Sequence, residues 1–305
     1  MTFSLTRRSL AATALGAALC RSLPARAQSS AAPQASGSDP GLAQAHAAIM
    51  DLESRNGGRL GVLAVDTGSG RRISSRATER FSMCSTHKFL TAAAILAMVD
   101  RGELRLDQRV PYGRADLLDY APITRKNVGA GSMTVDALCA AAIEWSDNTA
   151  DNLLLRLIGG PPGWTRYARS IGDTTSRLDR FEPELNTAIP GDPRDTTTPD
   201  AMIRDLHTVL LGTVLTDGSR NRLETWMLDS KITGSLLHAG LPQGWRIADK
   251  SGSGENGTRN DIGVIFPPKG APILAAVFYT QSTKPPASRE KLLAATGRII
   301  ADTFA

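Results

Sequence analysis

The chain reads as an α+β fold: an antiparallel sheet domain flanked by terminal helices, with an all-helical domain inserted into it. Three observations point there. Strand-like apolar runs gather near both ends of the chain, helical spacing fills the middle, and the first and last patterned stretches are themselves helical. Strands from the two ends then share one sheet, and the helices between them form a separate layer. With 305 residues, 41% of them hydrophobic, the chain has ample material for a large core and one or two domains.

The elements follow in order. Residues 42–52 have helical spacing, 60–66 read as a buried strand, Thr67-Gly68-Ser69-Gly70 as a turn and 71–76 as a returning strand. The apolar run 89–98 predicts a helix ending near Gly102. Thr134 can cap a helix through Ile143, and 148–158 predicts another, stopped by Gly159-Gly160-Pro161-Pro162. Thr198-Pro199-Asp200 supplies the cap and first turn of a helix through Leu211, with Gly212 just past its end. Strand signals return at 245–250, 258–266 and 271–280, with Pro267-Pro268-Lys269-Gly270 as a hairpin turn, and a helix over 288–301 closes the chain. The expected division is a sheet domain from 40–82 and 229–305, and a helical domain from 83–228.

Residues 1–27 read as an export signal. Arg7-Arg8 is a twin-arginine pair, the run from Leu10 to Leu19 is modestly apolar, and Ala25-Arg26-Ala27 fits a small-residue cleavage site. That run falls well short of the roughly 20 residues a membrane span needs. Residues 28–39, rich in Ser, Ala, Pro and Gly, read as a disordered leader. The expected product is exported to the periplasm, monomeric, and without stable membrane association. The signal holds four arginines and no acid, so its removal takes the formal charge from +5 to +1. No basic run with interleaved aromatics exists, which argues against nucleic acid as a partner.

Ser85-Thr86-His87-Lys88 opens the helix expected over 89–98 and sets Lys88 one turn from the Ser85 hydroxyl. A capping serine is one reading; a serine nucleophile beside its base is the other. Two further motifs favour the second: Ser146-Asp147-Asn148 after an apolar helical stretch, and Lys250-Ser251-Gly252 at the end of a strand-like run. S-x-x-K, S-D-N and K-T-G together sign class A β-lactamases and penicillin-binding proteins; here Ser251 supplies the hydroxyl in place of Thr. Arg180-Phe181-Glu182-Pro183-Glu184-Leu185-Asn186 resembles the Ω-loop that separates the β-lactamases from the rest. From about residue 40 to its end the chain resembles class A serine β-lactamases.

That resemblance implies an active site in the cleft between the two domains, a small-molecule β-lactam substrate and no cofactor. It assigns Ser85 as nucleophile, with Lys88 and Glu182 as the alternative acylation bases. Backbone N–H groups of Ser85 and Ser253 would form the oxyanion hole, and Ser146 would relay a proton to the ring nitrogen. Asn148 would bind the substrate's acylamide carbonyl, and Asp147 would anchor its loop. Lys250 and Arg259 would face the substrate carboxylate, with Ser251 beside them and Tyr120 at the mouth. Glu182, helped by Asn186, would activate the water that clears the acyl-enzyme, and Arg180 and Asp195 would close the base of the Ω-loop (180–195). A D,D-peptidase without such a glutamate, and a non-catalytic β-lactam sensor, are the competing readings.

The four histidines, His46, His87, His207 and His238, show no metal-ligand spacing, and no G-x-S-x-G elbow occurs. Of three cysteines, Cys20 lies in the signal. The resemblance implies partners for Cys139 at the position of Ala92 and for Cys84 at that of Gly254. Neither partner is a cysteine, so both thiols are expected free.

Overall fold

A computed structural model describes residues 39–305. The expected export signal and all of the leader except Asp39 lie outside them. Asp39 itself belongs to the folded part: its carboxylate accepts from Gly41 N at 2.9 Å and caps α1 (Pro40–Asn56), while Arg71 Nε donates to its other oxygen.

The chain then enters β1 (Arg59–Asp66) and β2 (Arg72–Ser75), followed by the short β3 (Phe81–Ser82). A 3-10 turn, Cys84–His87, leads into α2 (Lys88–Asp100). Next come β4 (Arg109–Pro111), α3 (Thr124–Asn127), β5 (Ser132–Thr134) and α4 (Val135–Glu144), whose cap is Thr134 accepting from Ala137 N. Helix α5 (Asn148–Leu157) is capped by Asp147. Gly159-Gly160-Pro161-Pro162 does stop α5, but it also starts α6 (Gly160–Ser170), because proline's fixed φ suits a first helical turn. After β6 (Thr196–Thr197), helix α7 (Pro199–Leu206) continues as a π-helical turn to Leu211. Two helices follow that sequence spacing did not single out, α8 (Asp217–Leu228) and α9 (Leu237–Gly240). Strands β7 (Arg246–Gly254), β8 (Thr258–Phe266) and β9 (Ile273–Thr280) and helix α10 (Pro286–Phe304) complete the chain.

The main sheet is antiparallel throughout, in the order β2-β1-β9-β8-β7, so strands from both ends do pair. β9 shows why its sequence is apolar without interruption. Ile273, Ala275, Val277 and Tyr279 face a core shared with α1 and α10, while Leu274, Ala276 and Phe278 face the larger core under the helices. A strand covered on both faces needs no polar alternation. β7 runs four residues past the expected end at Lys250, because Ser251 to Gly254 continue to pair with Asp261 to Thr258. This extension carries the third motif along the open edge of the sheet.

Candidate active site

The 3-10 turn Cys84–His87 lies against β7, and two glycines permit the approach. A Cβ on Gly252 would stand 2.7 Å from the Met83 carbonyl, and one on Gly254 would stand 2.6 Å from both Cys84 Sγ and the Asn186 carbonyl. Cys84 adopts φ 47° and Ser146 φ 57°, left-handed values that cost an ordinary residue about 1 kcal/mol or more and persist only where surroundings enforce them. Both sit beside the cleft.

Lys88, the first residue of α2, is fully buried, and its ammonium gathers the site. Nζ donates to Ser85 Oγ at 2.9 Å, to Asn148 Oδ1 at 2.6 Å and to the Ser146 carbonyl at 2.9 Å. Glu182 Oε1 stands 3.0 Å from the same nitrogen and accepts from Ser85 Oγ at 3.2 Å. Asn186 Nδ2 donates to the other Glu182 oxygen. Asn152 fixes the loop backbone from below, with Nδ2 donating to the Glu182 carbonyl at 2.9 Å and Oδ1 accepting from Glu182 N at 3.0 Å. The base of that loop is tied by Arg180 Nε donating to buried Asp195 at 2.6 Å. Asp147 accepts from Ile123 N, Thr124 N and Ala150 N, so its carboxylate anchors the turn that presents Ser146 and Asn148.

From the other side, Lys250 Nζ donates to Ser146 Oγ at 3.1 Å and to the Ser251 carbonyl at 2.8 Å. Burial, together with the charge of Lys88, lowers its pKa to about 7. Arg259, paired with Ser253 across β7 and β8, donates to Ser253 Oγ at 2.6 Å and reaches Glu290 at 3.4 Å. Its Nε is buried without a protein partner.

Ser85, Tyr120, Ser146, Asn148, Asn186, Ser251, Ser253 and Arg259 line one cavity of about 370 Å³, with Ile232 as an apolar neighbour. Lys88, Glu182 and Lys250 lie beneath it. All eleven candidate residues therefore meet at one place, within the usual size range of a small-molecule site. A larger cavity, about 480 Å³, lies between β1, β2 and α7 and has no serine, lysine or glutamate cluster.

The fold also joins residues that the sequence kept apart. His87, Asp151 and Glu182 place donor atoms within 4.8 Å of one another, all buried. These atoms are already committed. His87 Nδ1 meets the Cys84 carbonyl, His87 Nε2 meets Asp151 Oδ2, and Glu182 faces Lys88 and Ser85. The set is a paired network in which only Asp151 Oδ1 has no hydrogen-bond partner, and one open oxygen falls short of the several ligands a metal site needs. Sequence reading missed Asp151, Asn152 and Ile232. The spacing of Asn148 and Asn152 on one helix face was the available signal; Ile232 carries none. Both Cys84 and Cys139 are buried free thiols.

A serine hydroxyl held between a buried lysine and a buried glutamate, in a cleft edged by an antiparallel sheet, is a site suited to a hydrolase. The sequence profile of the beta-lactamase enzyme family matches residues 43–304. The chain is 46% identical over 271 residues to Beta-lactamase CTX-M-8 of Citrobacter amalonaticus, covering 88% of this chain and 93% of that one. Beta-lactamase Toho-1 of Escherichia coli is 47% identical over 253 residues, covering 83% and 87%. The solved structure of an ancestral (GNCA) class A beta-lactamase superposes with a TM-score of 0.84 at 53% identity, over 86% of this chain and all of that one. This protein belongs to the class A β-lactamases.

Proposed function

We propose that this enzyme hydrolyses the β-lactam amide of penicillins and cephalosporins through an acyl-enzyme on Ser85, and so confers antibiotic resistance on the cell that exports it. The observation that carries the reading is the shared position of Ser85 Oγ, 2.9 Å from Lys88 Nζ and 3.2 Å from Glu182 Oε1. Serine needs a neighbouring base, and either group is within reach of the hydroxyl proton.

In this reading Ser85 attacks the lactam carbonyl. The Ser85 and Ser253 N–H groups receive the oxyanion, whose stabilisation is typically worth about 3–4 kcal/mol per donor. Ser146 Oγ, 3.1 Å from Lys250 and 3.3 Å from Lys88, passes a proton to the departing ring nitrogen. Asn148 binds the acylamide carbonyl. Lys250, Ser251 and Arg259 receive the substrate carboxylate, and Tyr120 shapes the mouth. Glu182 then takes a proton from water attacking the ester. Asn186 supports this step, because its Oδ1 is buried without a protein partner and can accept from that water. Export through the twin-arginine signal to the periplasm, as a monomer, completes the proposal. Among the described residues no helix is long and apolar enough to cross a membrane.

The test is Ser85→Ala. Hydrolysis should vanish, and intact-mass spectrometry with a slowly cleared β-lactam should show one adduct on wild type, mapping to Ser85, and none on the variant. An adduct on another residue would refute the mechanism.

A further inference from the structure

Two buried charges stand behind the cleft and take no part in the steps above. His87 lies between Ser85 and Lys88 in sequence, with its side chain fully enclosed, and Asp151 is equally enclosed on α5. His87 Nδ1 is 2.8 Å from the Cys84 carbonyl, and Nε2 is 2.8 Å from Asp151 Oδ2. Beside an ionised Asp151, both atoms facing the ring are acceptors, so both bonds form only when both ring nitrogens carry protons, as in the imidazolium. Burial pulls His87 toward neutrality, but the charge and hydrogen bond of Asp151 outweigh it and raise its pKa. Burial likewise works against ionised Asp151, and the His87 charge holds its pKa down. The other charges facing His87 are Glu182 from the Ω-loop and Lys88 from its own turn.

Helix α5 shows what this pair is placed to do. Asn148 accepts from Lys88, Asp151 holds His87, and Asn152 exchanges two hydrogen bonds with the Glu182 backbone. One helix therefore holds the nucleophile's turn and the Ω-loop glutamate together. The carbonyl that faces His87 belongs to Cys84, the residue at φ 47° immediately before Ser85. A left-handed turn must be over-determined by its neighbours to persist, and the His87–Cys84 contact closes this one. Trp164 Nε1, donating to the His87 carbonyl at 3.0 Å, fastens the same turn to α6.

We propose that His87 and Asp151 are a positioning pair for the hydrolysis: joined as imidazolium and carboxylate, they lock the turn before Ser85 onto α5 and so fix the separation between Ser85 and Glu182. The proposal rests on the function inferred above. A buried ion pair can often be exchanged for packed apolar groups without loss of stability, whereas removing one member leaves an uncompensated charge. Positioning and folding are therefore separable.

The experiment compares His87→Phe, Asp151→Ala, their double variant and the near-isosteric Asp151→Asn. It measures kcat, KM, acyl-enzyme level by quenched-flow mass spectrometry, and Tm. Each single substitution should lower kcat by roughly 10- to 100-fold, the cost of about 1 Å of misplacement, without a matching rise in KM, and acylated Ser85 should accumulate. The double variant should regain most of the lost Tm while its kcat stays near that of the worse single. Imidazole 15N resonances should show two protonated nitrogens on His87 in wild type and one in Asp151→Asn. Variants that lose Tm alone, with kcat within twofold of wild type, would show a purely structural pair and overturn the proposal. So would losses in kcat that multiply in the double variant, or a neutral His87 in wild type. A wild-type enzyme that forms no Ser85 adduct would overturn the functional reading, and this inference with it.

Discussion

The floor and the wall of the cleft solve opposite electrostatic problems. On the floor, two cations and two carboxylates are interleaved: Lys88 meets Glu182 at 3.0 Å, and His87 meets Asp151 at 2.8 Å. Each charge has an opposite partner inside the protein, so the floor is complete as it stands. The wall, along β7 and β8, presents Lys250 and Arg259. Lys250 has hydroxyl and carbonyl partners but no hydrogen-bonded carboxylate, and Arg259 reaches its one carboxylate, Glu290, only at 3.4 Å. Asp249 and Asp261 act on Lys250 only through space, and burial, which opposes their charged forms, raises both above the usual carboxylate range, Asp249 to about 7. A floor in balance holds a reacting geometry; a wall left cationic receives an anion. Floor substitutions should therefore act on kcat, and wall substitutions on substrate capture.

The largest effect should come from the floor. Glu182→Ala removes the only carboxylate in contact with Ser85 among the described residues. General-base catalysis is worth about 10²–10⁴-fold, so steady-state turnover should fall by roughly 10³-fold. Deacylation should suffer most, with a burst of one product per enzyme and a persistent adduct mass. Turnover near the wild-type rate would break the distinction between floor and wall, and with it the line separating this enzyme from a D,D-peptidase.

On the wall, Arg259→Ala should raise KM for penicillins more than it lowers kcat, since a carboxylate contact is made in ground and transition states alike. A charge-assisted hydrogen bond is worth about 1.5–3 kcal/mol, or roughly 10- to 150-fold. An unchanged KM would show that Arg259 serves Ser253 and Glu290 alone.

The division between floor and wall also marks what the sequence could reveal. Ser85, Lys88, Ser146, Glu182 and Lys250 were legible because each lies in a short motif, where chemistry fixes both residue type and spacing, whereas Arg259 lies in none and follows from the family resemblance alone. The sheet was legible from its apolar runs, even though β9 faces two cores at once. Helix α8 escaped because its outward face is largely polar and its apolar spacing is weak. The His87–Asp151 contact spans 64 positions between two different elements, and no local pattern encodes such a pairing. Only the fold, by enclosing Asp151 completely, sets it apart from an ordinary helical acid.

A smaller effect concerns pH. Lys250 is a cation below its lowered pKa of about 7 and loses that charge as pH rises through it. The limiting rate constant kcat/KM reports groups of the free enzyme, so it should decline above neutral pH by up to tenfold per unit. The acid side should be set by other groups. Lys250→Gln should lower kcat/KM near pH 6 and flatten the alkaline decline. A decline that survives the substitution would assign it to another group and weaken the view of the wall as the anion receiver.

The smallest effect is expected at the two thiols, which belong to neither surface. Cys139 packs in the larger core, which also holds Ala92, and Cys84 Sγ lies 2.6 Å from where a Gly254 side chain would begin. Burial pushes both thiols far above their ordinary pKa, so neither offers a thiolate near neutral pH. A maleimide should leave native activity unchanged over hours. After denaturation without reductant, the chain from residue 28 onward should give two thiols per molecule. Fewer than two, with peptide mapping of a Cys84–Cys139 bridge, would require the turn before Ser85 to be tied covalently to α4. The turn would then owe part of its rigidity to a crosslink as well as to the His87–Asp151 pair.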